Sequence, residues 1–287
     1  MKKIHVGFLM SYDYEKLKHS IPPVYAAADA IFIALDEDLR TWSGQKFEVG
    51  SDFYRWVEEI DVDKKITFYR DDFYVPELSA IENDNRERHM LSLKMGIGNW
   101  LVQVDSDEYF LNFENFVKDL RNYDSFLEKP EKNKIQIAAY LLNIYKYVDG
   151  GVLYVDKVTR GIMATNFPNY KVARNTRQRI IYTKNLLLHE TVSRSEEEML
   201  LKFENWGHKH QIDLEAFMEK WRAVNKANYK DYRDFFYIEP EKWKKLGFVK
   251  GNSIEEVDKN LDYPAILPSN FYIWKKNFGQ WFKFLFK

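Results

Sequence analysis

The sequence predicts an α/β protein built on a largely parallel sheet covered by helices. Short apolar runs of strand length recur at Ile4 to Met10, Ala30 to Leu35, Lys65 to Tyr69 and Trp100 to Val104. Stretches of helical composition separate some of them, so residues 1–110 read as β-α-β-β-α-β, an order that favours parallel pairing. The later runs close in acidic residues: Asp36-Glu37-Asp38, Arg70-Asp71-Asp72 and Asp105-Ser106-Asp107-Glu108. In such sheets ligands bind beyond the carboxyl ends of the strands, so this acidic edge is where chemistry is expected.

Each element has its own local justification. The N-terminal MKKIHVGFLMSYD carries two lysines and only a short apolar run, which reads as a first strand rather than a secretory signal. Tyr14 to Asp29 has helical composition interrupted by Pro22-Pro23. Glu82 to Met95 reads as a helix whose end is punctuated by Gly96 and Gly98. Ile135 to Val148 is a long strand, and Gly150-Gly151 marks a turn. From Lys157 to Tyr170 the pattern fades into a loop. The segment KVARNTRQRIIY brings Arg174, Arg177 and Arg179 close together and leads into LLLHE, Leu186 to Glu190. On a strand, Arg177 and Arg179 would share one face. Ser193 to Glu198 reads as a helix start, with Met199 to Phe203 open to helix or strand. Leu214 to Tyr229 is helical, with Leu214, Phe217, Trp221 and Val224 on one stripe. Residues 1–249 form one domain on this reading; residues 250–287 are a linker, Lys250 to Pro268, and an aromatic, basic tail.

Composition narrows the class. A chain of 287 residues can bury a sizeable core. Its 43 basic and 44 acidic residues create no global field that would favour nucleic acid. Cysteine is absent, which excludes a disulfide framework and thiolate chemistry. Aromatic residues make up 17 %, suited to sugar stacking or to a Tyr- and Phe-rich core. No apolar stretch approaches membrane-spanning length, and a cytoplasmic protein is the default expectation.

The strongest chemical signal is Leu101 to Phe110, LVQVDSDEYF. If the chain stays extended, Asp105 and Asp107 project to the same side. Paired hard oxygen ligands suit Mg²⁺ or Mn²⁺, which keeps waters and binds a substrate phosphate. A polar turn whose carboxylates cap a helix fits the same residues.

Taken in order, Arg86 and Arg88, WLVQVDSDEYF, RNTRQRIIYTKNLLLHE and MLLKFENWGHKH resemble inverting family-2 glycosyltransferases of the bacterial branch that builds lipopolysaccharide cores and capsules. The matches cover roughly Ile4 to Tyr237. One departure is Ser11-Tyr12-Asp13-Tyr14 where the family has Asn-Glu after the first strand. The resemblance implies a GT-A-like fold: a mostly parallel nucleotide-binding sheet flanked by helices, a mixed acceptor half and a helical C-terminal extension. It implies a metal-dependent inverting transfer of a sugar from a nucleotide-diphosphate sugar donor to a hydroxyl of a surface-polysaccharide or lipid-linked acceptor. Asp105, Asp107 and His208 would hold Mn²⁺ or Mg²⁺. Glu190 would be the general base, ionised at neutral pH and within reach of the acceptor hydroxyl. Ser11, Asp36, Asp38, Arg88 and Asp105 would contact the nucleotide, while Arg177, Arg179 and His189 would meet phosphate or acceptor.

Readings from other classes compete. An Asp-dependent phosphohydrolase would carry its Asp-x-Asp on the first strand followed by Thr, unlike Asp107-Glu108-Tyr109 here. A non-catalytic carbohydrate-binding protein would need aromatics but not His189-Glu190. Phe271 to Lys287, FYIWKKNFGQWFKFLFK, has Lys275, Lys276, Lys283 and Lys287 and no acid. On a helical wheel Phe271, Trp274, Phe278, Trp281, Phe282 and Leu285 gather on one side, with Lys276, Lys283 and Lys287 opposite. That pattern fits an interfacial helix on an anionic membrane, making the protein peripheral at the inner membrane face, or a helix packing its aromatics on protein.

Overall fold

Strands form where apolar runs are buried on both faces. Every residue of Ile4–Leu9 (β1) and Trp100–Val104 (β4) is buried, which accounts for continuous rather than alternating apolar sequence. The computed structural model describes residues 2–205, 213–236, 241 and 243–283. The remaining strands are Ala30–Asp36 (β2), Ile66–Asp71 (β3), Glu108–Phe110 (β5), Ile135–Val148 (β6), Gly151–Val155 (β7), Thr159–Thr165 (β8), Arg179–His189 (β9) and Leu246–Lys250 (β10). The helices are Leu17–Ser20 (α1), Pro22–Tyr25 (α2), Ser51–Ile60 (α3), Ala80–Met95 (α4), Phe113–Arg121 (α5), Glu196–Asn205 (α6), Leu214–Ala223 (α7), Ile254–Asn260 (α8), Tyr263–Ile266 (α9) and Asn270–Phe282 (α10).

Among the described residues the strands join one mixed sheet in the order β10-β7-β6-β8-β4-β1-β2-β3, with β9 pairing β6 and β5. β4, β1, β2 and β3 are mutually parallel, so their carboxyl ends open on one edge. β8 runs antiparallel to β4 and joins this half to the mixed half. One face of the parallel half buries Leu17, Val24, Phe53, Val57, Phe116 and Leu120 from α1, α2, α3 and α5. The other receives Leu91 and Met95 of α4. A separate aromatic cluster, including Tyr145, Phe217, Phe235 and Trp243, seats α6 and α7 beyond β6 and β7.

Local signals explain the boundaries. Ser79 and Glu82 form a reciprocal capping box at the start of α4, and Gly96 ends it with φ +90°. Asn112 caps α5 by accepting the amide of Asn115.

Several expectations need correction. Helix α3 lies between β2 and β3, where the sequence suggested direct succession; its apolar stripe is only Phe53, Trp56, Val57 and Ile60, diluted by charge. Residues 159–165, expected as loop, are the strand β8 that links the two halves. Its Gly161 and Ala164 make weak sequence signals, yet flanking strands bury it on both edges. Met199 to Phe203 is helical, and α7 stops at Ala223 because Val224 turns extended. The supposed linker contains α8 and α9, with Val257 and Leu261 buried against the sheet.

The β6–β7 hairpin turns at Gly150, whose φ of +71° favours glycine, and Gly151 lies against the carbonyl of Val249 on β10. A Cβ at 151 would overlap that backbone oxygen, and backbone cannot swing aside. Gly151→Ala should therefore destabilise the fold by about 1–3 kcal/mol. Urea denaturation measures this; an unchanged midpoint would show that β10 shifts freely.

Candidate functional site

The carboxyl ends of β1 and β4 converge with the end of β9. After Val104 the chain turns through residues 105–107 and re-forms as β5, which pairs Glu108 with His189. The Glu190 amide donates to the Asp107 carbonyl at 2.9 Å. The Asp-x-Asp-Glu and His-Glu segments, far apart in sequence, are thus joined by backbone pairing.

Asp107 is the centre of the cluster. Its Oδ2 accepts from Arg194 Nη2 at 2.5 Å and from Lys202 Nζ at 3.0 Å, while Oδ1 faces His189 Nε2 at 3.6 Å. Arg194 also pairs with Asp13 Oδ2 at 3.1 Å, beyond the end of β1. Burial by itself would raise the Asp107 carboxyl; the charges of Lys202, His189 and Arg194 outweigh it and hold the group well below the usual carboxylate range. Burial and the neighbouring Arg194 lower the Lys202 ammonium, against the pull of Asp107. The Arg194 side chain is 1 % exposed, and its Nε and Nη1 donors have no hydrogen-bond partner. Buried guanidinium donors normally find acceptors, and two of those on Arg194 do not.

Asp105 belongs to a neighbouring knot. It pairs with Arg88 Nη2 at 2.9 Å and lies 3.7 Å from Arg174, whose guanidinium grips Glu108 through contacts of 2.5 and 2.6 Å. Arg88 Nε donates to Asp84 at 2.6 Å. The expectation that Asp105 and Asp107 share one side is corrected here: the chain turns instead of extending, and the two carboxylates address different cations.

Glu190 sits beside Asp107 in a third set of contacts. Lys16 Nζ at 2.6 Å and Tyr109 hydroxyl at 2.7 Å donate to Oε2, and Tyr147 hydroxyl donates to Oε1 at 2.7 Å. Burial would raise this carboxyl, but Lys16 and both hydroxyls bring it below its ordinary value. Burial, then the Glu190 charge, raises both phenols and keeps them protonated as donors. A carboxylate has about four lone-pair directions, so one on Oε1 remains for another donor. His189 Nδ1 is 2.9 Å from Asn143 Oδ1, orienting the ring toward Asp107.

The other expected residues are dispersed. Asp36 is buried, and its oxygens take the Arg40 guanidinium and the amides of Asp38, Arg40, Phe73 and Tyr74, so it organises two loops. Asp38 is exposed and 3.6 Å from Arg40. Ser11 accepts the Tyr14 amide through its backbone in the turn after β1. Arg177 precedes β9 at φ +59°, which breaks the shared strand face expected with Arg179. Arg179 stacks 4.5 Å over Trp281 of α10, away from the cluster. His208 lies outside the described residues. Asp13, Lys16, Tyr109, Tyr147, Arg194 and Lys202 were not anticipated. Arg194 follows the His-Glu pair closely, a usable hint; Lys202 on α6 carries no local mark.

A divalent cation needs convergent oxygen or imidazole lone pairs. Among the described residues no group of three His, Asp or Glu offers them. Arg194 and Lys202 occupy Asp107 Oδ2, and Asp105 turns to Arg88. An ion placed on Asp107 would meet two buried positive charges, so the described residues, as arranged, do not fit one.

No family model matches the chain, and no curated protein matches it. Among solved structures it is similar to the crystal structure of S. aureus TarS 1–349, with a TM-score of 0.27 and 14 % identity. The match spans 50 % of this chain and 36 % of the other, and a score that low assigns neither fold nor activity.

Removing the Asp107 charge leaves the buried Arg194 with Asp13 alone among the described carboxylates and takes from the partly buried Lys202 the carboxylate it pairs with. Asp107→Asn should cost about 3–5 kcal/mol of stability at neutral pH. Because the folded carboxyl lies below its unfolded value, the unfolded chain binds more protons as the medium acidifies. The stabilisation is complete above about pH 4 and is lost as pH falls through the folded value. Urea midpoints measured across that acid window should vary less steeply in the variant than in the parent. An equal slope would mean that Asp107 is not held by these cations.

Proposed function

We propose that the chain transfers a sugar from a nucleotide-diphosphate donor to a hydroxyl acceptor, with inversion, on a GT-A-like scaffold. The observation that carries this reading is the gathering of two cations, Arg194 and Lys202, on Asp107 at the carboxyl edge of the parallel strands. The ordered resemblance of the Asp-x-Asp-Glu and His-Glu segments to family-2 glycosyltransferases supports it.

The chemistry follows from the charges present. Breaking the bond between the anomeric carbon and the diphosphate builds negative charge on the leaving oxygen. Fixed cations in a water-poor site stabilise that charge more than they stabilise the ground state. Arg194 and Lys202 are such cations, held in place by Asp107 and Asp13. In this reading they supply the positive charge that the paired aspartates were expected to recruit as Mn²⁺ or Mg²⁺. Arg88 and Arg174 hold Asp105 and Glu108, shaping the nucleotide side without reaching the reacting bond.

Glu190 is the base in this proposal. Lys16, Tyr109 and Tyr147 keep it ionised and leave Oε1 able to accept the acceptor hydroxyl. The same donors weaken its proton affinity, so transfer to it is expected late, as the hydroxyl becomes acidic on attack. The acceptor, a surface polysaccharide or a lipid-linked glycan, belongs to the same proposal.

Release of nucleoside diphosphate from a panel of sugar donors tests the reading. Release that requires an acceptor supports it; inorganic phosphate alone would favour a phosphohydrolase, and sugar binding without turnover a carbohydrate-binding protein. Activity should persist in EDTA, and Arg194→Gln should lower it by at least about 10²-fold, as for other lost electrostatic donors. An EDTA-silenced enzyme restored by Mn²⁺ would overturn the role given to Arg194 and Lys202.

Glu190→Gln retains the shape and removes the charge. Transfer should fall about 10²–10⁴-fold while donor affinity changes little. Equal loss of donor binding would make Glu190 a positioning residue instead.

A further inference from the structure

Helix α10 is attached to the protein by polar contacts and turns its aromatic side outward. The Asn277 carboxamide accepts the Tyr182 amide at 2.7 Å and donates to the Tyr182 carbonyl at 2.9 Å, in the manner of a neighbouring strand. Gln280 Oε1 accepts the Ile180 amide at 3.1 Å, and Lys184 reaches Asn270. These contacts cover the part of β9 that β5 leaves unpaired, which removes an exposed sheet edge. Ile273, Asn277 and Gln280 form the side of α10 that meets the sheet.

The outward side is apolar and continuous. Phe271, Trp274, Phe278, Trp281 and Phe282 are 44–71 % exposed. Phe271, Trp274 and Phe278 stack in turn along the helix and Phe282 tilts against Phe278, with centroid separations of 6.0, 5.3 and 4.8 Å. Lys275 is exposed next to them and Lys276 farther round the helix, and the sequence from Pro268 to Lys287 holds no acidic side chain. Among the described residues no helix is long and apolar enough to cross a membrane.

We infer that α10 is an interfacial helix which lies flat on an anionic lipid surface. Aromatic rings enter the boundary between headgroups and acyl chains, and adjacent lysines meet lipid phosphates. The charge pattern decides between this occupant and a second copy of the chain. Two such faces brought together would carry Lys275 and Lys276 toward an interface to which residues 268–287 contribute no acidic side chain, whereas an anionic bilayer offers negative charge across the whole face. The Asn277 and Gln280 contacts keep the helix fixed to β9 while its outer side is engaged, so binding requires no unfolding of the body.

The test uses the full chain with vesicles of phosphatidylcholine alone and of phosphatidylcholine mixed with phosphatidylglycerol. The chain should sediment with the mixed vesicles, less with the neutral ones, and less again as salt screens the lysines. Trp274→Ser combined with Phe278→Ser leaves Asn277 and Gln280 in place. It should keep the parental melting temperature and weaken partitioning by at least about tenfold, as loss of two interfacial aromatics implies. An intact chain that ignores both vesicles would overturn the inference. So would one that sediments as a dimer until these two residues are changed. Neither result depends on turnover, so failure here leaves the proposed transfer standing.

Discussion

The carboxylate of Asp107 is the point on which the candidate site depends. It is buried, and a buried charge is tolerated only when other charges and donors answer it. Its partners come from separate parts of the chain: Arg194 after β9, Lys202 on α6 and His189 at the end of β9. Arg194 extends the network to Asp13 at the end of β1. One carboxylate therefore ties the parallel half of the sheet to the mixed half. Without it, Lys202 on α6 would lose the carboxylate it pairs with and Arg194 would keep only Asp13 among the described carboxylates.

Around that point the ion pairs form graded layers. Arg88 is buried and Arg174 partly so, and both are spent on Asp84, Asp105 and Glu108, so their work is positional. Asp36 plays the same part at the end of β2, where six donor contacts hold the loops at 36–40 and 73–74. Arg194 differs, because two of its donors have no partner. Glu190 differs too, because its three donors leave an acceptor direction open. Polar groups that are buried and incompletely matched are costly.

The same economy of polar contacts shapes the C-terminus. A sheet edge must be covered, and α10 covers β9 with side-chain amides instead of an apolar stripe. Its aromatics are then free to face outward, the reverse of ordinary amphipathic packing. Stacking of the rings on one another removes part of their surface from water, but five remain widely exposed on one helix.

Much of the parallel half was legible in the sequence, since strands buried on both faces are written as unbroken apolar runs and their polar ends follow at once. Ile4 to Leu9, Ala30 to Asp36 and Trp100 to Val104 have that form, and Asp105, Asp107, His189 and Glu190 were readable as candidates because they close such runs. Strand β8 was not readable, because small residues such as Gly161 and Ala164 become strand only through the neighbours that bury them. The direction of Asp105 and Asp107 depended on a turn whose geometry the alternation rule cannot supply. The sequence by itself determined which carboxylates stand at the polar edge. Only the tertiary structure decided which cations meet them, because Arg194, Lys202 and Asp13 are joined through space by helices and strands whose packing no local pattern records.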